Sequence, residues 1–264
     1  MMFHSMWNDL IASQALAWRL FIRNISARFR ESFLGYIWAF LPPIVTTLTF
    51  VFLKSQNIFI SGKTEVPYPV YVMVGTLLWQ GFVDALNSPI KIITSSKSIL
   101  AKIYFPRESL ILAGFYEVLF YFIIRLILMI GVLLWYQVQI HPVALLAPFC
   151  ILILMALGLM IGILLTPIAF LYQDVSWGVN MATTFWFFIT PVVYPPPTSW
   201  PASLLCNLNP VSPILITTRE LIVSNKIIRL DSFILISCFI FAFMLIGWLV
   251  YRVAMPHLVE RIGS

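Results

Sequence analysis

The sequence predicts an all-α integral membrane protein, built as one transmembrane domain over residues 1–264. Of the 264 residues, 61% are hydrophobic and only 10% are charged, whereas an ordinary soluble domain has about 25% charged residues. Six apolar stretches also approach the roughly 20 residues that a helix needs to cross a bilayer. Because so few charges cannot cover a soluble surface, we expect six transmembrane helices.

The stretch before the first span predicts an amphipathic helix over residues 8–30 that lies in the membrane interface. Its apolar residues recur at alternating spacings of four and three, which places them on one helical stripe. They are Ile11, Ala15, Trp18, Ile22, Ile25 and Phe29. Arg19, Arg23 and Arg30 lie to one side of the stripe, as in helices that rest on lipid. A soluble helix packed on a partner protein is the alternative.

The six predicted spans cover residues 35–53, 66–86, 110–136, 142–171, 177–194 and 233–251. Pro42 and Pro43 fall inside the first span, where they should kink or break the helix. The fourth span is long enough to tilt or to hold a break near Pro167. A neighbouring helix can pair with a carbonyl group that a proline leaves free.

The basic residues predict that both termini are cytoplasmic, since Lys and Arg concentrate in cytoplasmic segments. That orientation places the larger group inside: Arg19, Arg23, Arg28, Arg30, Lys91, Lys97, Lys102, Arg107, Arg252 and Arg261. The smaller group then lies outside: Lys54, Lys63, Arg219, Lys226 and Arg229. The net charge of +6 therefore reflects membrane orientation, and we expect no nucleic-acid partner.

The segment over residues 195–230, between spans five and six, is rich in proline and is expected to form an outer gate. One or two short re-entrant helices are predicted there, because an unstructured loop of this length is unusual in a compact protein. Ser212 followed by Pro213 is typical of a helix N-cap and first helical position.

No motif in the sequence predicts catalysis or a cofactor. Ser61-Gly62-Lys63-Thr64 is similar to the end of a phosphate-binding loop, but Asn57 stands where that loop needs its first glycine, so bound ATP is not expected. The cysteines Cys150, Cys206 and Cys238 show no paired spacing, and we expect neither a disulfide framework nor a metal site.

Three ionisable residues fall within the spans, where they are costly. Asp84 is placed near the inner end of span two, and Glu117 and Arg125 lie two helical turns apart in span three. That separation is too long for a strong direct pair, so each should face a cavity or another helix. Interhelical hydrogen bonding is favoured over a proton relay.

Two further patterns leave alternatives open. Gly158 and Gly162 form a small-residue motif in span four, which allows close helix packing either within the subunit or between two subunits. Aromatic residues crowd span five and its exit, where they either pack and anchor the helix or line a pathway for sugar rings. The candidate pathway aromatics are Phe185, Trp186, Phe188 and Tyr194.

The loop after span two, residues 87–109, mixes basic and apolar residues. This pattern suits a short amphipathic helix that ends before Phe105-Pro106. The loop is either an ordinary membrane-surface connection or a docking site for a soluble partner.

Three segments together resemble one family, the permease subunits of type-two ABC exporters that move polysaccharides and polyol phosphates. The first is Arg30-Glu31-Ser32-Phe33-Leu34-Gly35-Tyr36-Ile37-Trp38, followed by Pro42-Pro43. The second, and most specific, is Leu100-Ala101-Lys102-Ile103-Tyr104-Phe105-Pro106-Arg107-Glu108. The third combines Tyr172-Gln173-Asp174-Val175, Thr190-Pro191-Val192-Val193-Tyr194-Pro195 and Leu208-Asn209-Pro210. Gln173 stands where the family usually has arginine, which puts in doubt any salt bridge at that position.

The resemblance implies a homodimer in the bacterial inner membrane that exports a lipid-linked O-antigen or capsular glycan. Two cytoplasmic ATP-binding subunits would bind ATP and Mg, so this chain would carry no cofactor and would not be an enzyme. A permease for a small lipid or drug, or a membrane-bound glycan-modifying enzyme, are the alternatives.

The resemblance also implies roles for named residues. The coupling segment, residues 94–107, would receive the ATPase through Lys97, Leu100, Lys102, Tyr104, Phe105, Pro106 and Arg107. The entry motif would consist of Arg30, Ser32, Gly35 and Trp38.

Overall fold

The computed structural model describes residues 2–30, 35, 37–58, 62, 64–100, 106–224 and 230–263, and this part of the chain is helical without strands. The helices are α1 (Met2–Arg30), α2 (Ile37–Ser55), α3 (Tyr68–Ser95), α4 (Lys97–Leu100), α5 (Glu108–Trp135), α6 (Ala147–Leu171), α7 (Asp174–Ile189), α8 (Ala202–Leu208), α9 (Val211–Val223) and α10 (Leu230–Gly263). A short 3-10 turn, Pro142–Leu146, leads into α6.

Five helical segments in the described residues are long and apolar enough to cross a membrane. They are Ile37–Ser55, Tyr68–Ser95, Glu108–Trp135, Pro142–Leu171 and Asp231–Val259. The predicted fifth span, 177–194, corresponds to α7, which has only 16 residues. At 1.5 Å per residue it is about 24 Å long, shorter than the roughly 30 Å hydrocarbon core.

Helix α3 differs most from the predicted boundaries. The sequence placed its end at residue 86, but the helix continues to Ser95, so the first part of the predicted loop 87–109 is helical. Asn87, Ser88 and Pro89 have weak helix propensity, and this produced the early predicted end. Burial among the neighbouring helices outweighs that local preference, since Pro89 and Ile90 are both buried.

The prolines do not break their helices. Helix α2 is continuous through Pro42 and Pro43, and α6 is continuous through Pro167. The unbroken helices exclude a break at these positions, whereas the kink of α2 and the tilt of α6 stay predictions.

The predicted helix before the first span is present as α1, which begins at Met2 rather than residue 8, and its place in the membrane interface stays a prediction. Ala17 and Phe21 are buried against α5, whereas Trp18 and Ile22 on the neighbouring face are about half exposed. The helix therefore has one protein-facing side and one exposed side that carries apolar residues.

The core is organised around α3, whose largest interface is with α6. Gly158 and Gly162 allow this contact: a Cβ atom at Gly158 would lie 2.4 Å from the Phe82 carbonyl oxygen, and one at Gly162 would lie 2.2 Å from that of Leu86. The small-residue motif therefore packs within the subunit, which resolves the alternative that the sequence left open.

Two short helices, α8 and α9, occupy the predicted outer gate segment. The expected cap at Ser212 was wrong, because α9 begins at Val211 and the Val211 N–H donates to Asn209 Oδ1 at 3.0 Å. Asn209 follows α8 directly, so its side chain can fold back over the first turn of α9.

Arg219 of α9 was counted among the outer loop charges, but it is only 2% exposed. Its Nη1 donates to the carbonyl groups of Pro191 and Val192, both at 3.0 Å, and its guanidinium lies 3.8 Å from the centre of the Tyr71 ring. These contacts attach α9 to α3 and to the segment after α7.

We predict that Gly162→Ala destabilises the chain, because the added methyl group meets a backbone carbonyl that cannot move without displacing α3. Overpacking of this kind costs about 1–3 kcal/mol. The thermal unfolding midpoint in detergent should fall. Gly131→Ala in α5 is the matched control, since no atom lies within 4 Å of its Cβ position. Equal midpoints for the two variants would contradict the packing assignment.

Candidate functional site

A stripe of polar side chains runs along one face of α3. Its members are Thr76, Gln80, Asp84, Asn87, Ser88, Lys91 and Ser95. The three- and four-residue spacing places them on one side of the helix. Polar residues on one face of a spanning helix are typical of a protein-lined cavity, and two cavities open along this stripe.

The first cavity, here termed the aromatic groove, has a volume of about 440 Å³ and lies between α2, α3 and α7. Its aromatic lining residues are Phe50, Trp79, Phe187 and Phe188. Its polar lining residues are Thr46, Thr49, Thr76, Gln80, Asp84, Thr183 and Thr184. Aromatic faces beside hydroxyl and amide groups suit a ligand that has both apolar C–H faces and hydroxyls.

Two buried polar atoms of the groove lack a partner. Within the described part of the chain, neither Thr76 Oγ1 nor Gln80 Oε1 has a hydrogen-bonding partner. Most buried side-chain polar atoms in proteins are hydrogen-bonded, so these two atoms have unused hydrogen-bonding capacity beside the groove.

The second cavity, here termed the basic cavity, has a volume of about 780 Å³ and lies between α1, α2, α3 and α5. Its charged lining residues are Arg23, Arg28, Lys91, Arg125, Asp84 and Glu117. Gly35 and Trp38 of the predicted entry motif also line it. Gly35 has a φ of 45°, a conformation that favours glycine.

Arg125 lines the basic cavity and is paired with a residue that lines both cavities. Its Nη1 donates to Asp84 of α3, and Asp84 lines both the aromatic groove and the basic cavity. Because α3 continues to Ser95, Asp84 lies well inside the helix and not near its end as predicted. The Asp84 side chain is 39% exposed and faces the cavities, whereas that of Arg125 is only 11% exposed.

Arg125 also donates a hydrogen bond to the backbone of α2. Its Nε donates to the Ala39 carbonyl oxygen at 3.2 Å. In an uninterrupted helix that carbonyl would accept from the N–H of the residue four positions later, but that residue is Pro43, which has no N–H. The expectation that a neighbouring helix satisfies a carbonyl freed by proline is confirmed here.

Glu117 pairs with α1 and not with Arg125. Its Oε1 accepts from Asn24 Nδ2 at 2.8 Å, and Arg28 Nη1 donates to the Tyr121 hydroxyl at 3.0 Å. Burial lowers the pKa of Arg28, but its hydrogen bond to Tyr121 and the nearby carboxylates raise it overall, so Arg28 stays charged. The predicted interhelical hydrogen bonding of the intramembrane ionisable residues is thus confirmed.

The predicted aromatic residues divide between packing and exposure. Trp186 packs edge to face on Phe82 and donates its indole N–H to Asn209 Oδ1 at 2.9 Å. Tyr194 donates to the Phe188 carbonyl oxygen at 2.8 Å. Phe185 and Phe188 are each 60% exposed, but only Phe188 lines the aromatic groove.

The coupling segment is described only in part. Lys97 begins α4, and its Nζ lies 5.2 Å from the centre of the Phe170 ring. Leu100 is buried, Pro106 is exposed, and the Arg107 carbonyl accepts from the Tyr251 hydroxyl at 3.3 Å. The predictions for Lys102, Tyr104, Phe105 and Ser32 lie outside the described residues, and Arg30 is exposed at the end of α1.

Sequence reasoning missed the polar stripe and the groove residues Trp79, Thr76 and Gln80. The signal was present in the spacing, since Thr76, Gln80 and Asp84 recur every four residues within an apolar span. Tracing the polar residues of span two by helical period, and not only its charged ones, would have found this face.

Comparison with known proteins places the chain among transport proteins. The family model described as ABC-2 type transporter matches residues 15–223. The O-antigen export system permease protein RfbA of Myxococcus xanthus is 27% identical over 223 residues, which cover 83% of this chain and 84% of that protein. A protein of the same description from Klebsiella pneumoniae is 20% identical over 216 residues, covering 78% of this chain and 79% of the other.

We predict that Arg125→Met destabilises the chain more than Asp84→Asn, because it leaves both the Ala39 carbonyl and the Asp84 carboxylate unpaired. A hydrogen bond to a charged group contributes about 1.5–3 kcal/mol, and Arg125 makes a second one, to Ala39, so the loss at the more exposed Asp84 should be smaller. Detergent-induced unfolding of both single variants and the double variant measures the coupling free energy. Additive effects would contradict the pair.

Proposed function

Because the chain belongs to the ABC-2 type transporter family, we propose that it is the membrane permease of an ABC exporter for polysaccharide. The observation that carries this proposal is the polar stripe of α3, which extends along most of a membrane-spanning helix. A stripe of this length offers hydrogen bonds to a cargo at successive depths of the bilayer. The relatives named as O-antigen export permeases support a lipid-linked O-antigen or capsular glycan as that cargo.

The aromatic groove is the surface that would contact the glycan. Sugar rings present apolar C–H faces, which pack on aromatic rings such as Trp79 and Phe187, and hydroxyls, which could pair with Thr76 and Gln80. Among the aromatic residues predicted from sequence, Phe188 would share this role. Phe185, Trp186 and Tyr194 would instead support α7 and the outer segment, since Trp186 and Tyr194 are engaged in hydrogen bonds.

A homodimer would complete the pathway. Helix α2 is mostly exposed along its apolar length, and the aromatic groove opens beside it. A second copy could cover this side and convert two open grooves into an enclosed channel. Helix α7 would be the fifth of six spans, because six crossings return both termini to the cytoplasmic side, as the distribution of basic residues favours.

Helix α9 supports the proposal of a re-entrant outer gate. It has 13 residues, about 20 Å at 1.5 Å per residue, and is therefore too short to cross the bilayer. It is nevertheless buried on almost every side and contacts α3, α6 and α10. A short helix held in the bundle in this way could shape the outer exit in the inner membrane.

Energy would come from two cytoplasmic ATP-binding subunits that bind ATP and Mg. The coupling segment, residues 94–107, would receive them, with α1 beside it. Leu100 would anchor the segment to the bundle, and Lys102, Tyr104, Phe105, Pro106 and Arg107 would carry the docking surface. ATP binding would bias the permease between inward and outward states.

The export role of the groove is tested with Thr76→Val and Gln80→Leu. Removing an unpartnered hydroxyl should not lower stability, so we expect Thr76→Val to remain folded while export falls severalfold, and the double variant to fall further. Surface glycan and retained cytoplasmic glycan are measured in a deletion strain carrying each variant.

Thr166→Val is the matched control, since Thr166 is a buried threonine of α6 that lies outside both cavities and donates to the Gly162 carbonyl. Normal surface glycan with the double variant would remove the groove from the pathway.

Docking of the ATPase is tested by charge reversal at Lys97 and Lys102. Lys102→Glu should reduce the amount of ATP-binding subunit that co-purifies with the membrane-inserted chain. Lys97→Glu should have a mixed effect, because Lys97 also contacts Phe170 of its own chain. Lys54→Glu is the control, because Lys54 lies in the last turn of α2, at the end that is expected to face outward. Unchanged ATPase recovery with both Lys97→Glu and Lys102→Glu would show that the docking assignment is wrong.

A further inference from the structure

The basic cavity has an excess of positive charge. Arg125 is neutralised by Asp84, and among the other lining residues that the structure describes, Arg23, Arg28 and Lys91 face one carboxylate, Glu117. Glu117 accepts a hydrogen bond from neutral Asn24. These four side chains carry a net charge of about +2, which favours an anionic ligand.

The three cations are held in different ways, which gives the cavity several kinds of donor. Arg23 donates to Asn24 Oδ1 through Nε at 3.3 Å and Nη2 at 3.2 Å. Arg28 uses one nitrogen, Nη1, for Tyr121, so its other N–H groups remain for a ligand. Lys91 is exposed at the cavity, and its side-chain ammonium group has no hydrogen-bonding partner within the described residues.

This donor set matches phosphate chemistry. Guanidinium groups bind phosphate oxygens through paired N–H donors, and a lysine adds a compact point charge. Basic pockets between transmembrane helices commonly hold lipid headgroups. A volume of about 780 Å³ has room for one or two phosphates together with the first group attached to them.

The position of the cavity points to a lipid ligand. One wall is α1, which also carries the exposed apolar residues Trp18 and Ile22, and another is the beginning of α2. A headgroup entering here would keep its hydrocarbon chain beside these apolar surfaces while its phosphates reach Arg28 and Lys91.

We propose that the basic cavity binds the phosphate or diphosphate group of a membrane lipid. This inference deepens the proposed function, and it rests on that function only for the identity of the lipid as a glycan carrier. Asp84 lines both cavities, so the bound headgroup would lie at the inner end of the path that the aromatic groove continues.

The experiment is a binding titration of the purified full chain in detergent, read by native mass spectrometry. The probes are phosphatidylglycerol, a polyprenyl diphosphate and their phosphate-free counterparts, diacylglycerol and polyprenol. We expect the two phosphate-bearing probes to bind, and Lys91→Gln and Arg28→Gln each to weaken them about tenfold, the loss of one charged hydrogen bond.

Arg19→Gln is the matched control, because Arg19 is exposed on α1 and does not line the cavity. Lys91 is exposed on α3, so Lys91→Gln keeps the test valid if Arg28→Gln does not fold. Equal retention of phosphate-free and phosphate-bearing probes, or wild-type affinity in both cavity variants, would overturn the proposal.

The two sources of phosphate are separated by competition. Tenfold or greater preference for the polyprenyl diphosphate assigns the site to a lipid-linked glycan, and equal affinity assigns it to the headgroups of the bilayer; both results support a phosphate site. Because binding is measured without export, a chain that binds phosphate lipids but fails to export glycan would refute the proposed function alone.

Discussion

The Arg125 guanidinium joins three helices because each of its partners would otherwise be unpaired inside the membrane. Pro43 leaves the Ala39 carbonyl of α2 without its own N–H, and Asp84 places a carboxylate within α3. In a medium without water, an unsatisfied carbonyl costs several kcal/mol and an isolated charge costs more. One side chain of α5 meets both requirements, and in doing so it fixes α2, α3 and α5 around the point where the two cavities meet.

Helix α3 can present polar groups on one face because its opposite face packs closely on α6. The backbone of α6 approaches Phe82 and Leu86 through Gly158 and Gly162, and this contact supplies packing that does not depend on the polar stripe. The stripe is then free to carry unpartnered atoms such as Thr76 Oγ1 and Gln80 Oε1. The polar face proposed to contact cargo and the face that packs on α6 thus lie on opposite sides of α3.

Long apolar segments could be predicted from sequence because their signal is composition, which does not depend on tertiary context. The third and fourth spans agree closely with α5 and with the segment Pro142–Leu171, and the helix predicted before the first span is present as α1. The errors lie where tertiary packing outweighs a local preference. Burial extends α3 past Asn87 and Ser88, and it encloses Arg219, which as a charged residue was expected in a loop.

Some features of the site were predicted and others were not, because the spacing along one helix is visible in the sequence and the arrangement of several helices is not. The separate partners of Glu117 and Arg125 followed from their spacing along one helix. Their identities, Asn24 and Asp84, depend on how the helices are arranged, which one helix's periodicity cannot specify. The aromatic groove was not predicted, because three helices form it and the residues that each contributes are unremarkable within their own segment.

Pro43 has a mechanical consequence for α2. A carbonyl that is held by another helix's side chain can be released without unwinding the helix to which it belongs. If α2 tilts away from α5, water can replace the Arg125 Nε–H at Ala39 while every backbone hydrogen bond of α2 stays intact. The contact that holds this part of α2 to α5 can therefore be exchanged for water without loss of helical structure.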